Sequence, residues 1–193
     1  MQKRKFIKKV SLLGEGAVGK TSLVRRYVLD VFSDDYLQTF GAKVTKKVTV
    51  VDDIELTMMI WDILGQKSQV SLHSTYYSGS NGAFVVCDVT RPETLDRLAD
   101  WIKDLNDVVG DIPIIPLANK KDLPITVSEQ KMKEIESLVG NPFIFTSAKT
   151  GEGVNEAFAM MAGHALLDPA RDAGDDHRRA RRHHFSSAPK FCD

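Results

Sequence analysis

A glycine-rich segment near the start of the chain has the residue types needed to hold phosphate. Residues 14–21 read GEGAVGKT, follow an apolar run and open a segment with helical spacing. The glycines let the backbone wrap around an anion with several N–H groups pointing inward, where a helix dipole adds positive potential. Lys20 can reach the outer phosphates, and the Thr21 hydroxyl can bind Mg²⁺. The pattern therefore predicts a nucleoside triphosphate site rather than an ordinary strand–helix turn.

A second polar motif indicates which base the nucleotide carries. Residues 119–122 read NKKD and directly follow a predicted strand that ends at Ala118. The Asp122 carboxylate can accept two hydrogen bonds from guanine, whereas adenine offers no such pair of donors and would leave the acid unpaired. The motif therefore favours guanine and disfavours an ATP-using kinase. After the last predicted strand, the SAK sequence at 147–149 supplies a third loop on the base side.

The elements that must position these motifs alternate between strands and helices. Apolar and β-branched runs predict strands at 6–13, 43–51, 54–61, 83–88, 112–118 and 142–146. Helical spacing predicts helices at 20–30, 92–108, 126–139 and 154–167. We expect an α/β fold with a six-stranded, mostly parallel sheet, helices on both faces and one antiparallel edge hairpin. Because the motifs follow strand ends, such a sheet gathers them at one edge.

Composition and charge exclude several classes of protein. The 193 residues include 26 Lys and Arg against 26 Asp and Glu, so the net charge of zero argues against a broadly basic nucleic-acid binder. No apolar run approaches the ~18 residues of a membrane-spanning helix. Cys87 and Cys192 are far apart in sequence, which argues against a disulfide framework and fits a reducing compartment. We therefore expect a cytoplasmic protein, and we expect it to be a monomer.

The composition changes sharply near residue 168. We expect a domain at residues 1–167 and a disordered tail at 168–193 that contains clustered Arg and His. Both chain ends carry basic groups, so one hypothesis is a weak peripheral contact with an anionic membrane, and the alternative is simple solvated polarity. Cys192 is followed only by Asp193, so we expect no prenylation at that cysteine.

The motifs in their order resemble the Ras superfamily of small GTPases, from about residue 6 to residue 167. The sequences YYSG at 76–79 and FVVCDVT at 84–90 are similar to segments of the Rab branch, and DILGQ at 62–66 occupies the expected place between the other motifs. The resemblance implies a P-loop NTPase fold, the Ras-like G domain. It also implies a Mg²⁺-dependent switch that hydrolyses GTP to GDP and phosphate, with effector, exchange and GTPase-activating proteins as partners.

The resemblance also assigns roles to matching residues. On the base side, Phe32 would lie against the guanine ring, and the reading groups would be Asn119, Asp122 and the Ala148 N–H. The side-chain stems of Lys120 and Lys149 would flank the base. The full set implied to bind nucleotide is Gly14, Gly16, Ala17, Val18, Gly19, Lys20, Thr21, Ser22, Phe32, Tyr36, Thr39, Gly65, Asn119, Lys120, Asp122, Ser147, Ala148 and Lys149.

On the phosphate side, the resemblance implies both metal ligands and catalytic groups. Thr39 would bind Mg²⁺ only when a γ-phosphate is present, together with Thr21, and Asp62 would hold the ion through water. The Gly65 N–H would touch the γ-phosphate. Gln66 would orient the attacking water, which makes the expected catalytic set Gln66, Lys20 and Thr39.

Two features bear on the rate of hydrolysis. No arginine occurs between Arg26 and Arg91, so the segments that contain Thr39 and Gln66 supply none. We therefore expect slow hydrolysis that a partner accelerates. Rab proteins have Thr-Ala where this chain has Ile63-Leu64, and the bulk of Leu64 lies close to the expected place of the γ-phosphate. An alternative function is therefore a guanine-nucleotide-binding interaction module with negligible hydrolysis.

Overall fold

The computed structural model of the chain describes residues 4–33, 41–65 and 75–167. Its strands are β1 (Arg4–Leu13), β2 (Ala42–Val51), β3 (Ile54–Ile63), β4 (Gly82–Asp88), β5 (Ile114–Asn119) and β6 (Ile144–Thr146). Its helices are α1 (Lys20–Leu29), α2 (Pro92–Asp96), α3 (Leu98–Val109), α4 (Glu129–Val139) and α5 (Val154–Leu167). The predicted tail at 168–193 lies outside the described residues.

The strands form one six-stranded sheet in the order β2-β3-β1-β4-β5-β6. All neighbouring strands are parallel except β2 and β3, which pair antiparallel with Val51 opposite Ile54. The turn between them places Asp52 in the left-handed region, with a φ of 52°, which Asp tolerates better than most residues. The predicted fold class, with its antiparallel edge hairpin, is confirmed.

Two hydrophobic layers cover the two faces of the sheet. On one face, Leu12 and Phe84 pack with residues of α1 and α5. On the other, Leu13 and Val85 pack with residues of α3 and α4. Every residue of β4 is buried, as expected for a central parallel strand covered on both sides. Cys87 is a fully buried core residue of that strand, and burial raises the pKa of its thiol to about 12.

Some element boundaries differ from the predictions for identifiable reasons. The helix predicted at 92–108 is divided into α2 and α3 at Arg97, although the backbone there stays right-handed helical. Helix α4 begins only after Ser128, whose side chain accepts a hydrogen bond from the Lys131 N–H and so caps the helix. Strand β5 begins at Ile114 rather than at residue 112, because its pairing with β4 begins there, opposite Ala83.

Helix length is also relevant to membrane insertion. Within residues 4–33, 41–65 and 75–167, no helix is both long enough and apolar enough to cross a bilayer.

Candidate nucleotide site

The glycine-rich loop joins β1 to α1 and has an unusual backbone. Gly19 precedes the helix with a φ of 99°, and a Cβ at this position would lie 2.3 Å from Asn119 Nδ2. Ala17 also has a positive φ, of 62°, a conformation that costs a non-glycine residue roughly 1–3 kcal/mol and is typical of functional sites. The loop is therefore held in a shape that few other sequences would adopt.

Lys20 is the first residue of α1, and its charged side chain extends back to this loop. Its side chain is buried, and Nζ donates hydrogen bonds to the carbonyl oxygens of Gly14 at 2.7 Å and Glu15 at 2.9 Å. The pKa of Lys20 is lowered to about 8, chiefly by burial and to a smaller extent by the charge of Arg91, while Asp62 and Glu15 act in the opposite direction. The lowered pKa means that burial disfavours the charged form of Lys20 overall, so an anion bound beside the ammonium would stabilise it.

The two predicted metal-binding residues within the described chain lie next to each other. Thr21 Oγ1 donates a hydrogen bond of 2.5 Å to Asp62 Oδ2, which joins the start of α1 to the end of β3. Asp62 is almost fully buried. A hydroxyl and a carboxylate are hard oxygen donors, which Mg²⁺ prefers, so the residues present fit the ion.

Gly65 approaches the loop so closely that no side chain would fit. A Cβ on Gly65 would lie 2.5 Å from Lys20 Nζ and 2.6 Å from the Glu15 carbonyl oxygen. This contact places Gly65 beside the phosphate loop, where the resemblance expects its N–H to meet a γ-phosphate. Gly16 faces the same segment, since its own Cβ would be 3.6 Å from the Gly65 oxygen.

Asn119 connects the phosphate loop to the loops on the base side. Its side chain is almost fully buried, and Nδ2 donates to the Val18 carbonyl at 2.8 Å. Its Oδ1 accepts from Thr146 Oγ1 at 3.1 Å and from the Ala148 N–H at 3.3 Å. One amide therefore fixes the relative positions of the segments at 18, 119 and 146–148.

Asp122 is the predicted base-reading acid, and it is positioned by its neighbour in the last loop. Ser147 Oγ donates a 2.6 Å hydrogen bond to Asp122 Oδ1, and Ser147 itself is fully buried. The Thr150 N–H donates to the same hydroxyl at 3.0 Å. Asp122 itself is exposed, so Ser147 orients a carboxylate that remains accessible from solvent.

Arg26 was not predicted from the sequence as part of the site. It extends from α1 to the base-side loop, where Nε donates to the Ala148 carbonyl at 2.9 Å and Nη2 donates to the Lys149 carbonyl at 2.7 Å. Because the partners are backbone atoms far away in sequence, no local pattern identifies this contact. Arg26 therefore positions the loop that carries the Ala148 N–H.

Asp88 was also not predicted as a site residue. It lies at the end of β4 with a nearly inaccessible carboxylate, 2.6 Å from Lys120 Nζ and 3.1 Å from Arg91 Nε. Thr90 donates to it from both its N–H and its hydroxyl. Burial acts to raise the pKa of Asp88, but the hydrogen bonds from Lys120 and Thr90 outweigh it and hold the pKa below its usual value. A carboxylate at the end of an otherwise apolar strand is the signal that could have identified it.

A further contact connects the phosphate loop to α3. Trp101 Nε1 donates to Glu15 Oε1 at 3.1 Å, and the indole is fully buried. Trp101 packs in the hydrophobic layer that contains Leu13 and Val85, and its hydrogen bond also holds the loop from the side.

Some of the remaining predicted residues lie near the site, and others lie outside the described residues. Phe32 is half-buried and packs against the hydrophobic layer that also contains Ala148, and Ser22 lies in the first turn of α1. Lys120 has a left-handed backbone with a φ of 69°, directly after β5. Tyr36, Thr39 and Gln66 lie outside the described residues.

Comparisons with known proteins agree with this architecture. Residues 9–166 match the model of the Ras family. The chain is 40% identical to Ras-related protein Rab-21 of Geodia cydonium over 161 residues, which are 82% of this chain and 70% of that protein. It is 36% identical to Rab-21 of Dictyostelium discoideum, over 83% and 77% of the two chains. It is 35% identical to Rab-7b of Mus musculus, over 86% and 85%. The chain therefore belongs to the Ras family and is a Rab-like small GTPase.

Proposed function

We propose that this GTPase binds GTP and GDP with the phosphates in the loop at 14–21 and the guanine between the loops at 119–122 and 147–149. The observation that carries this proposal is the position of Asn119. Its side chain bonds to the phosphate loop through Val18 and to the base-side loop through Ala148. A nucleotide that spans both loops would therefore meet a single preassembled surface.

On the phosphate side, the contacts of Lys20, Thr21 and Asp62 support a role for each of these three residues. The Lys20 ammonium would neutralise charge on the outer phosphates, and Thr21 and Asp62 would hold Mg²⁺, with Thr39 joining them when GTP is bound. The ion would neutralise charge on the β- and γ-phosphates. Gln66 would orient the attacking water. The hydrogen bond between Thr21 and Asp62 supports this assignment because it already brings two of the ligands together.

The switch would operate through the segments on either side of the hairpin of β2 and β3. Gly41 comes just before β2 and Leu64 just after β3, and the Leu64 N–H donates to the Gly41 carbonyl at 2.9 Å. Loss of the γ-phosphate would remove the contacts of Thr39 and Gly65 together, so both segments would change state. Effector, exchange and GTPase-activating proteins would distinguish the two states.

The first prediction concerns recognition of the base. Asp122→Asn replaces a carboxylate oxygen with an amide donor that would face the donors of guanine. We expect the affinity for GDP to fall about a hundredfold or more, because hydrogen bonds to a charged group are lost. Isothermal titration calorimetry measures this. Asp107→Asn is the matched control, since Asp107 is exposed on α3 and pairs only with Lys103 among the described contacts. Unchanged affinity in Asp122→Asn would contradict the assignment.

The second prediction concerns the pH dependence of binding. The pKa of Lys20 is about 8 in this structure, against 10.5 ordinarily, and a bound phosphate would keep the side chain charged. Raising the pH through 8 therefore removes the positive charge from Lys20 in the free protein. The affinity for GDP should fall about fourfold between pH 7 and pH 8.5. Lys20→Arg is the control, because its guanidinium stays charged throughout. If both proteins show the same pH dependence of GDP affinity, the role of Lys20 is wrong.

The third prediction concerns hydrolysis. In a single-turnover assay with preloaded GTP, we expect a rate on the order of 10⁻⁴–10⁻³ s⁻¹ for the protein alone. Gln66→Leu cannot orient water and should be at least about tenfold slower, a typical loss for a missing positioning group. Gln130→Leu, on the exposed face of α4, is the control. Release of phosphate at background level by the unaltered protein would favour the interaction-module alternative. In that case, recovery of hydrolysis in Leu64→Ala would identify the bulk of Leu64 as the cause.

The fourth prediction concerns the basic chain ends. We propose a weak contact with anionic membranes, supported by the exposed Arg4 and Lys5 at the start of β1 and by the basic residues after Leu167. The full chain should cosediment with vesicles rich in phosphatidylserine at low salt, and the binding should fall severalfold on truncation after Leu167. Vesicles of phosphatidylcholine alone are the control. Equal binding by the full and truncated chains would contradict a role for the tail.

A further inference from the structure

Arg91 makes a contact with the phosphate loop that is separate from the motifs described above. It is the residue before α2, and its Nη2 donates a 2.8 Å hydrogen bond to the carbonyl oxygen of Gly16. Its Nε lies 3.1 Å from the buried Asp88 carboxylate. A single planar guanidinium therefore joins the backbone of the loop to a fixed anion at the end of β4.

The part of the loop that Arg91 holds is the part that faces Gly65. A Cβ on Gly16 would be 3.6 Å from the Gly65 oxygen, and one on Gly65 would be 2.5 Å from Lys20 Nζ. If the γ-phosphate lies beside Gly65 and Lys20, then Gly16 belongs to the wall nearest to that phosphate. Movement of this segment should disturb a triphosphate more than a diphosphate.

The other end of the contact is firmly held. Asp88 also lies 2.6 Å from Lys120 Nζ, and Lys120 belongs to the base-side loop. Thr90 donates to the same carboxylate from its backbone and its side chain. Movement at Gly16 is therefore restrained by an ion pair whose carboxylate is buried and is shared with Lys120 on the base side of the site.

The chemistry of this contact depends on arginine. The guanidinium presents several donors in one plane, so Nε and Nη2 can bind two acceptors in fixed directions. A lysine at this position would carry one ammonium on a flexible stem, which can approach Asp88 or the Gly16 carbonyl without bridging both in the same geometry. The electrostatic influence of Arg91 on Lys20 is consistent with its position close behind the loop.

We propose that Arg91 is a positioning residue that holds Gly16 against Asp88 and thereby favours the loop conformation required by the γ-phosphate of GTP. This inference rests on the proposed placement of the nucleotide. It assigns Arg91 to discrimination between GTP and GDP rather than to chemistry on the reacting atoms.

The test compares dissociation of fluorescent GDP with dissociation of a fluorescent, non-hydrolysable GTP analogue, using the full chain with Mg²⁺. In Arg91→Ala, we expect the GTP analogue to dissociate about tenfold faster, because a hydrogen bond from a charged donor is lost, and GDP less than threefold faster. In Arg91→Lys, the ion pair with Asp88 can be retained, so stability to urea should match that of the unaltered protein. The GTP analogue should nevertheless dissociate from Arg91→Lys nearly as fast as from Arg91→Ala.

Arg97→Ala is the matched control. Arg97 lines the same cleft as Arg91 and is also partly exposed, but it pairs with the carboxylates of Glu15 and Asp100 rather than with a carbonyl of the loop backbone. We expect both dissociation rates to stay within about twofold, as for a typical exposed ion pair.

The outcomes separate this inference from the proposed function. Binding of neither nucleotide by the unaltered protein would overturn the proposed function itself. With normal binding, three results would each overturn the role of Arg91: no change in Arg91→Ala, equal acceleration of GDP and GTP analogue, or rescue of the GTP analogue by Arg91→Lys. A GTP-selective loss that lysine does not rescue supports the proposal.

Discussion

The site depends on one buried positive charge whose hydrogen-bond acceptors belong to the backbone. Lys20 lies almost out of contact with solvent and donates to the carbonyl oxygens of Gly14 and Glu15. Desolvation of an ammonium is unfavourable, and two neutral carbonyls compensate for it only in part, so the pKa of the side chain is lowered to about 8. A bound polyphosphate would supply the missing negative charge. The Lys20 ammonium is kept in place by the loop conformation and by the neighbouring Gly65 and Asp62.

The parallel sheet explains how distant sequence motifs act on one ligand. The loops after β1, β3, β5 and β6 all leave the same edge of the sheet, because parallel strands present their carboxyl ends together. The loops are then joined directly, by Asn119 to Val18 and by Arg26 to Ala148. Such contacts make the phosphate side and the base side one mechanical unit. We propose that loss of the γ-phosphate acts on the segments outside this unit, around Gly41 and Leu64.

The sequence predicted the parts of the site that depend on local pattern. The loop at 14–21 and the motif at 119–122 are contiguous, and their strand and helix neighbours follow from apolar periodicity. Arg26 and Arg91, which also hold these motifs together, were not predicted, because they bind backbone carbonyls 122 and 75 residues away. The predicted start of α4 was wrong for a similar reason, since the helix begins after one capping residue, Ser128, rather than where the apolar pattern begins. Asp88 is an intermediate case, because a charged residue at the end of a buried strand already indicates a special role.

We propose that the protein presents a preassembled pocket selective for guanine nucleotides. Calorimetric titration of the purified full chain with GDP and with ADP, both in the presence of Mg²⁺, measures this selectivity. We expect GDP to bind at least about a thousandfold more tightly than ADP, because only guanine supplies the paired donors that the Asp122 carboxylate would accept. Comparable affinities for the two nucleotides would contradict it.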